Sequence, residues 1–245
     1  MKELFLEFIS FLRSPDRDSF SQNSFENQVI EVVKLFMMTF VAVIFLVMPL
    51  MSLIGADDLP NKLAELENLG FDHKWQQNLA LFTLAVIAAP LIEEVIFRFP
   101  LKFRRGSIAL FLVLIVALCV QLFQFLGMAF SEAIFIGMIL MVLIGLYLYF
   151  RLQKESALTE FTSKNYGYFF YAAALLFALA HIFNYELEAN QYWMTPILVL
   201  PQMLLGLMLG YVRVKYGLWA SILAHAMNNL IPTMAIMFMP EGMLE

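Results

Sequence analysis

A few ionisable side chains lie inside long apolar runs of the chain: Glu93, Glu94 and Arg98 in one run, His181 at the end of another and His225 in a third. Each such group costs about 2.5–3.5 kcal/mol at a membrane-helix centre on insertion scales, so it persists only where something depends on it. Their spacing separates them into roles. Glu94 and Arg98 are four apart and share a helix face, whereas the adjacent Glu93 points about 100° away. One carboxylate is thereby neutralised and the other left free. His225 and Asn229 are also four apart, so imidazole and amide project together with Asn228 close behind, and Phe177 lies four before His181 to pack on its face. A free carboxylate, two imidazoles and an amide in a partly dry cavity are a kit for hydrolysis with water as nucleophile. The carboxylate takes a proton from water, one imidazole helps to hold that water, and the other imidazole with the amide meets the developing oxyanion. Other intramembrane hydrolases fit less well: His181 is followed by Ile-Phe-Asn and His225 by Ala-Met-Asn, so neither opens an HExxH pair, no aspartate lies in an apolar run, and no Gly-x-Ser-x-Gly elbow occurs.

The elements that must position these groups are membrane helices. The chain has 245 residues, 62% of them hydrophobic and 14% charged, whereas a soluble domain averages about 45–50% apolar and about 25% charged. Apolar runs fall at Val29–Ile54, Leu79–Phe99, Ile108–Phe130, Ala133–Phe150, Tyr166–Phe183, Pro196–Val212 and Gly217–Met239, most of them near the roughly 20 residues a crossing needs. Basic residues sort by side. Lys2, Arg13, Arg17, Lys34, Lys102, Arg104, Arg105, Arg151, Lys154, Lys164, Arg213 and Lys215 fall on one side of this parse; only Lys62 and Lys74 fall on the other. Positive residues are retained in the cytoplasm, which predicts a cytoplasmic amino terminus and an external carboxyl terminus. The expected fold is all-α: a polytopic transmembrane bundle of about seven helices, preceded by an interfacial amphipathic helix with Leu4, Phe5, Phe8, Ile9 and Leu12 on one face. Residues 1–28 read as that helix and a polar linker, and 29–245 as one membrane domain. A net charge of −5 gives no basic field for nucleic acid, and the single Cys119 excludes an intrachain disulfide.

Glu93-Glu94-x-x-x-Arg98, Phe177-x-x-x-His181 and His225-x-x-x-Asn229, in that order on separate helices, resemble the three motifs of the CAAX prenyl endopeptidase and bacteriocin-processing (CPBP, or Abi) family of intramembrane proteases. Gly206-x-x-x-Gly210 and the stretch Tyr216 to His225 resemble the family's approach to its third motif. The resemblance covers about 79–232. It implies an intramembrane endopeptidase acting on membrane-associated or lipidated substrates, with Glu93 as general base, His181 sharing the activation of water, His225 and Asn229 as the oxyanion pair, and Glu94 with Arg98 in support. The separation of Glu93 from His181 is far longer than the family's, by about the length of the two runs within 108–150, which read as an extra helical hairpin.

Alternatives stay open at this stage. Glu93, His181 and His225 are also a possible zinc ligand set, so the metal-free, glutamate-activated route implies no cofactor while zinc remains the other route. A catalytically silent scaffold or bacteriocin-immunity protein of the same fold would keep the motifs without the reaction, and a proton relay through Glu93 and His225 would suit a transporter. The partners implied are the lipid bilayer and a peptide or protein substrate, and the expected location is a bacterial plasma membrane. Counted as straight rods at 1.5 Å per residue, His181 comes out roughly 15–18 Å from the cytoplasmic face and Glu93 and His225 at about 10 Å.

Overall fold

A computed structural model of the chain describes residues 1–56, 59, 71, 73–102, 136, 139, 143, 160, 161 and 163–238. Its ordered elements are helical throughout: α1 (Lys2–Arg13), α2 (Phe25–Ala42), α3 (Met48–Leu53), α4 (Lys74–Phe82), α5 (Ala89–Phe97), α6 (Tyr166–Ala180), α7 (Thr195–Leu198), α8 (Leu200–Tyr216) and α9 (Leu218–Phe238). Among the described residues, five continuous helical stretches are long and apolar enough to cross a membrane: Phe25–Leu53, Lys74–Leu101, Tyr166–Asn184, Ala189–Tyr216 and Leu218–Phe238. Of the two remaining predicted crossings, Ile108–Phe130 lies outside the described residues, and so does Ala133–Phe150 apart from residues 136, 139 and 143.

Two of the crossings are broken in the same way. Between α2 and α3 the chain widens into a π turn at Val43–Val47, and between α4 and α5 it does so at Thr83–Ala88. Each π turn is followed at once by a proline in the first turn of the next helix, Pro49 and Pro90. Proline has no N–H for the carbonyl one turn back and its ring clashes there, and the preceding turn relieves both by opening to i→i+5 bonding. After Thr83–Ala88 the Ala89 N–H reaches back to the Leu84 carbonyl. The next bond in that register would need an N–H on Pro90, which has none.

The centre of the bundle is α8, which packs against α6 on one side and α9 on the other. From Leu205 to Tyr216 it is buried on almost every side except at Leu207, as expected of a helix in the middle of a bundle. Gly206 and Gly210 let α6 approach. A Cβ on Gly206 would stand 3.2 Å from the Ala174 carbonyl oxygen, and one on Gly210 would stand 2.7 Å from Phe170 Cε2. Four-residue spacing of small residues is a packing face of this kind in membrane bundles. A single residue, Gly217 at φ +97°, separates α8 from α9; L side chains rarely adopt that conformation.

Helix α8 also extends past Val212, where the hydropathy suggested that the sixth run ends. Arg213 and Lys215 therefore belong to its last turn and not to a loop, and both are buried. The Arg213 Nε–H donates to the Arg98 carbonyl at 3.2 Å, while Lys215 Nζ bonds Glu7 of α1 and, at 3.0 Å, the Tyr211 hydroxyl. Helix α1 docks here through Leu4, Phe8 and Phe11. Phe8 and Phe11 stand edge-on to Tyr211, with ring centroids 5.2 and 5.1 Å away. Phe5 and Leu6 face outward. The segment after α1 is tied down by the Ser21 N–H on the Lys215 carbonyl, at 2.9 Å.

Candidate active site

Three elements converge on one carboxylate oxygen. Glu93 stands on α5, the helix that Pro90 restarts; His181 is the residue at which α6 tightens into a 3₁₀ turn (His181–Asn184); His225 lies in the middle of α9. The Nε2 atoms of His181 and His225 are each 3.8 Å from Glu93 Oε2. That oxygen is buried and has no hydrogen-bond partner among the described residues. Both rings are fixed from behind. His181 Nδ1 is 2.7 Å from the Phe177 carbonyl, and since a carbonyl only accepts, Nδ1 carries the proton and Nε2 of the neutral ring offers a lone pair. His225 Nδ1 is 3.0 Å from Glu94 Oε1, and a carboxylate beside it likewise requires a proton on Nδ1. The difference in depth expected from straight-rod counting is not found. The α4–α5 crossing is no straight rod: it passes through the π turn at Thr83–Ala88, restarts at Pro90 and ends in a 3₁₀ turn at Phe99–Leu101.

Glu94 does more than pair with Arg98. The two are fully buried, with Arg98 Nε 3.6 Å from Glu94 Oε1, but the hydrogen bonds of Glu94 go to His225 Nδ1 and to the Ser221 hydroxyl. Ser221, His225 and Asn229 follow one another at four-residue spacing along α9, so one stripe of that helix carries the clamp, the imidazole and the amide. Ser221 was visible in the sequence at that spacing; a serine among alanines gave no chemical reason to choose it. Phe177 is the wedge between these groups. Its ring centroid is 4.7 Å from that of His181 and 5.5 Å from that of His225, and Arg98 Cζ lies 3.9 Å from the same ring centroid. The guanidinium thus meets the ring by a cation–π contact.

The amide of Asn229 is held by a backbone group. Its Nδ2 donates to the Ala85 carbonyl at 3.0 Å, the carbonyl that Pro90 leaves without a donor in the π register. Asn228 Nδ2 reaches Asn229 Oδ1 at 3.3 Å. His181, His225, Asn228 and Asn229 face a cavity of about 530 Å³ walled by α2, the two π turns, α8 and the second half of α9. Its lining is mostly apolar, the size and character of a site for a small organic or peptide ligand. Asn184 and Gln202, which the sequence alone did not single out, also line it.

Zinc was the open alternative for the carboxylate and two imidazoles. Among the described residues no set of three His, Cys, Asp or Glu side chains is disposed to hold a metal ion. Ligands about 2.0–2.1 Å from a tetrahedral zinc stand about 3.4 Å from one another, closer than the 3.8 Å of both nitrogens from Glu93 Oε2.

Residues 150–231 match the family described as type II CAAX prenyl endopeptidase Rce1-like. The matched stretch holds His181, His225 and Asn229 and does not reach Glu93. Over that stretch the resemblance read from the motifs is shown. No curated protein and no solved structure matches the chain.

Proposed function

We propose, on the premise that residues 150–231 match the Rce1-like CAAX prenyl endopeptidase family, that the protein is an intramembrane endopeptidase that uses Glu93 to activate water and cuts membrane-associated or lipidated peptides. The observation that carries this reading is the convergence of two back-anchored imidazoles, each with Nε2 3.8 Å from the unpartnered Glu93 Oε2. A water about 2.8 Å from all three atoms completes the hydrogen bonds. It donates one proton to Glu93 and the other to the His181 lone pair, and accepts from a proton on His225 Nε2. As the water oxygen attacks the scissile carbonyl carbon, its proton passes to Glu93, which then delivers it to the leaving amine nitrogen. The new oxyanion is met by His225 Nε2–H and by the second N–H of Asn229. His225 must then carry protons on both nitrogens, and the Glu94 carboxylate at Nδ1 is what stabilises that cation. Two carboxylates are thereby balanced by the Arg98 guanidinium and the imidazolium.

In the same reading the bundle has seven crossings, with the amino terminus and Glu93 nearer the cytoplasmic face, and α1 lies along the interface with Phe5 and Leu6 toward lipid. The test uses purified protein in detergent with a quenched, prenylated peptide library. Cleavage that is lost in Glu93→Gln and in His225→Ala, and that is indifferent to chelator, is the expected result. Cleavage that survives Glu93→Gln refutes the mechanism, and loss on chelation with recovery on zinc addition replaces it by the metal route.

A further inference from the structure

Gln202 stands at the first turn of α8, on the wall of the cavity that His181, His225 and Asn229 also face. Its Oε1 is buried and has no hydrogen-bond partner among the described residues. A carboxamide oxygen withheld from both water and protein is costly, and since the residue itself is only part-buried and lines the cavity, rotation of the carboxamide would turn this oxygen toward a bound chain and relieve that cost. Around it the lining is largely apolar: Phe36, Phe40, Val43, Leu205 and Ile236 contribute no polar side-chain atoms. Any peptide entering such a space brings N–H and C=O groups that lose their water, and each needs a partner. Gln202 offers an acceptor and two donors on one planar group, the complement of a single peptide unit.

We infer that Gln202 seats the substrate backbone: its carboxamide pairs with one peptide group of the bound chain and so sets which bond lies over Glu93. This rests on the reading of the cavity as the peptide site. It assigns recognition to the main chain, which every peptide shares, so sequence preference would come from the apolar walls and not from this residue. Asn229 cannot do the same work, because one N–H of its Nδ2 is held by Ala85, the other is assigned to the oxyanion, and its Oδ1 accepts from Asn228.

The test separates binding from cleavage by working in the Glu93→Gln protein, which has no general base. The probe is a dansyl-labelled S-farnesyl peptide of eight residues with a free carboxylate, titrated against full-length protein in detergent. Adding Gln202→Leu is expected to weaken binding about tenfold, equivalent to about 1.4 kcal/mol, with the melting temperature of the protein as the folding control. Seven further probes, one for each peptide bond, carry a single backbone N-methyl group each. One of them is expected to bind about tenfold worse than the parent to the Glu93→Gln protein and no worse than the parent to the Gln202→Leu double variant, which names the peptide group that Gln202 holds. Should Gln202→Leu fail to fold, Gln202→Glu keeps the acceptor, and the same single probe should still be penalised. Equal affinity with and without Gln202, or an N-methyl scan whose losses are the same in both backgrounds, overturns the inference, as does failure of the parent probe to bind. Probe binding that depends on Gln202 in a protein whose native form cleaves nothing refutes the hydrolase reading alone.

Discussion

Replacing Glu94 by glutamine tests whether the buried charges work as a set. The substitution keeps the shape and leaves an oxygen for His225 Nδ1, but removes a negative charge 3.6 Å from Arg98 Nε in a place where both side chains are no more than 1% exposed. At an effective dielectric of 20, two unit charges at that separation attract by about 4–5 kcal/mol. Breaking a buried pair from one side strands the other charge and costs about 3–5 kcal/mol, so Glu94→Gln should lower unfolding stability by about that amount. Arg98→Met alone should do the same. The double variant, which removes both charges and fills the volume with an apolar chain of similar length, should recover all but about 1–2 kcal/mol, because replacing a buried ion pair as a whole is often close to neutral. Activity should not recover with it: the His225 imidazolium still lacks its carboxylate, and exchanging a charge-assisted bond for a neutral one of about half the strength costs about tenfold in kcat. The measurement is a double-mutant cycle by SDS titration in mixed micelles, followed by circular dichroism, beside peptide cleavage. Additive losses, with a coupling within about 0.5 kcal/mol of zero, would refute the claim that Glu94 and Arg98 are one electrostatic unit; full activity in the double variant would refute the role given to Glu94 at His225.

Glu93→Gln should lower kcat by about 10²–10⁴ while changing the unfolding free energy by no more than about 1 kcal/mol, since Glu93 Oε2 makes no hydrogen bond to lose and its ion contacts to the two imidazoles are 3.8 Å long on a side chain 27% exposed; a large drop in stability would mean the residue is structural. Pro90→Ala supplies the missing N–H to the Ala85 carbonyl in competition with Asn229, so kcat should fall severalfold at unchanged or raised stability, and an unchanged kcat counts against the route from Pro90 to Asn229. Gly210→Ala places a Cβ 2.7 Å from Phe170 Cε2 and should cost about 1–3 kcal/mol by overpacking, with most of it recovered when Phe170→Leu is added. Lys215→Met removes the bonds to Glu7 and Tyr211, and limited trypsin digestion should then cut faster after Arg13 and Arg17, read by the shift of the band on a gel.

What the sequence disclosed follows from what periodicity can express. Run length marked the crossings because hydrocarbon thickness sets it, and four-residue spacing set Glu94 with Arg98 and His225 with Asn229 on common faces because helix geometry alone decides that. The face one helix turns toward another is a different matter. Nothing in Pro90-Leu-Ile-Glu93-Glu94 says that Glu94 will meet a histidine 131 positions away, so the pair with Arg98 was visible and the bonds to His225 and Ser221 were not. Arg213 and Lys215 were read as loop residues because hydropathy penalises charge; in the fold their charges are met by Glu7, Tyr211 and the Arg98 carbonyl, so the helix keeps going. The depths of Glu93 and His181 fail to match on counting because counting takes the Glu93 crossing as an unbroken rod, while Pro90, which breaks it, acts through a missing N–H group. Gln202 carried no signal at all, for a glutamine in an apolar helix most often serves as packing glue.

The one-residue junction at Gly217 puts the site under a strict count. Gln202, Gly206 and Gly210 on one side of it and Ser221, His225 and Asn229 on the other are held in phase by a hinge with no spare length. Inserting or deleting one residue in the first turns of α9 would turn the rest of that helix by about 100° and slide it by about 1.5 Å, carrying the imidazole away from both glutamates at once. This part of the chain can therefore vary in side chains but not in length, and any change of size that leaves the reacting groups aligned has to be absorbed somewhere else.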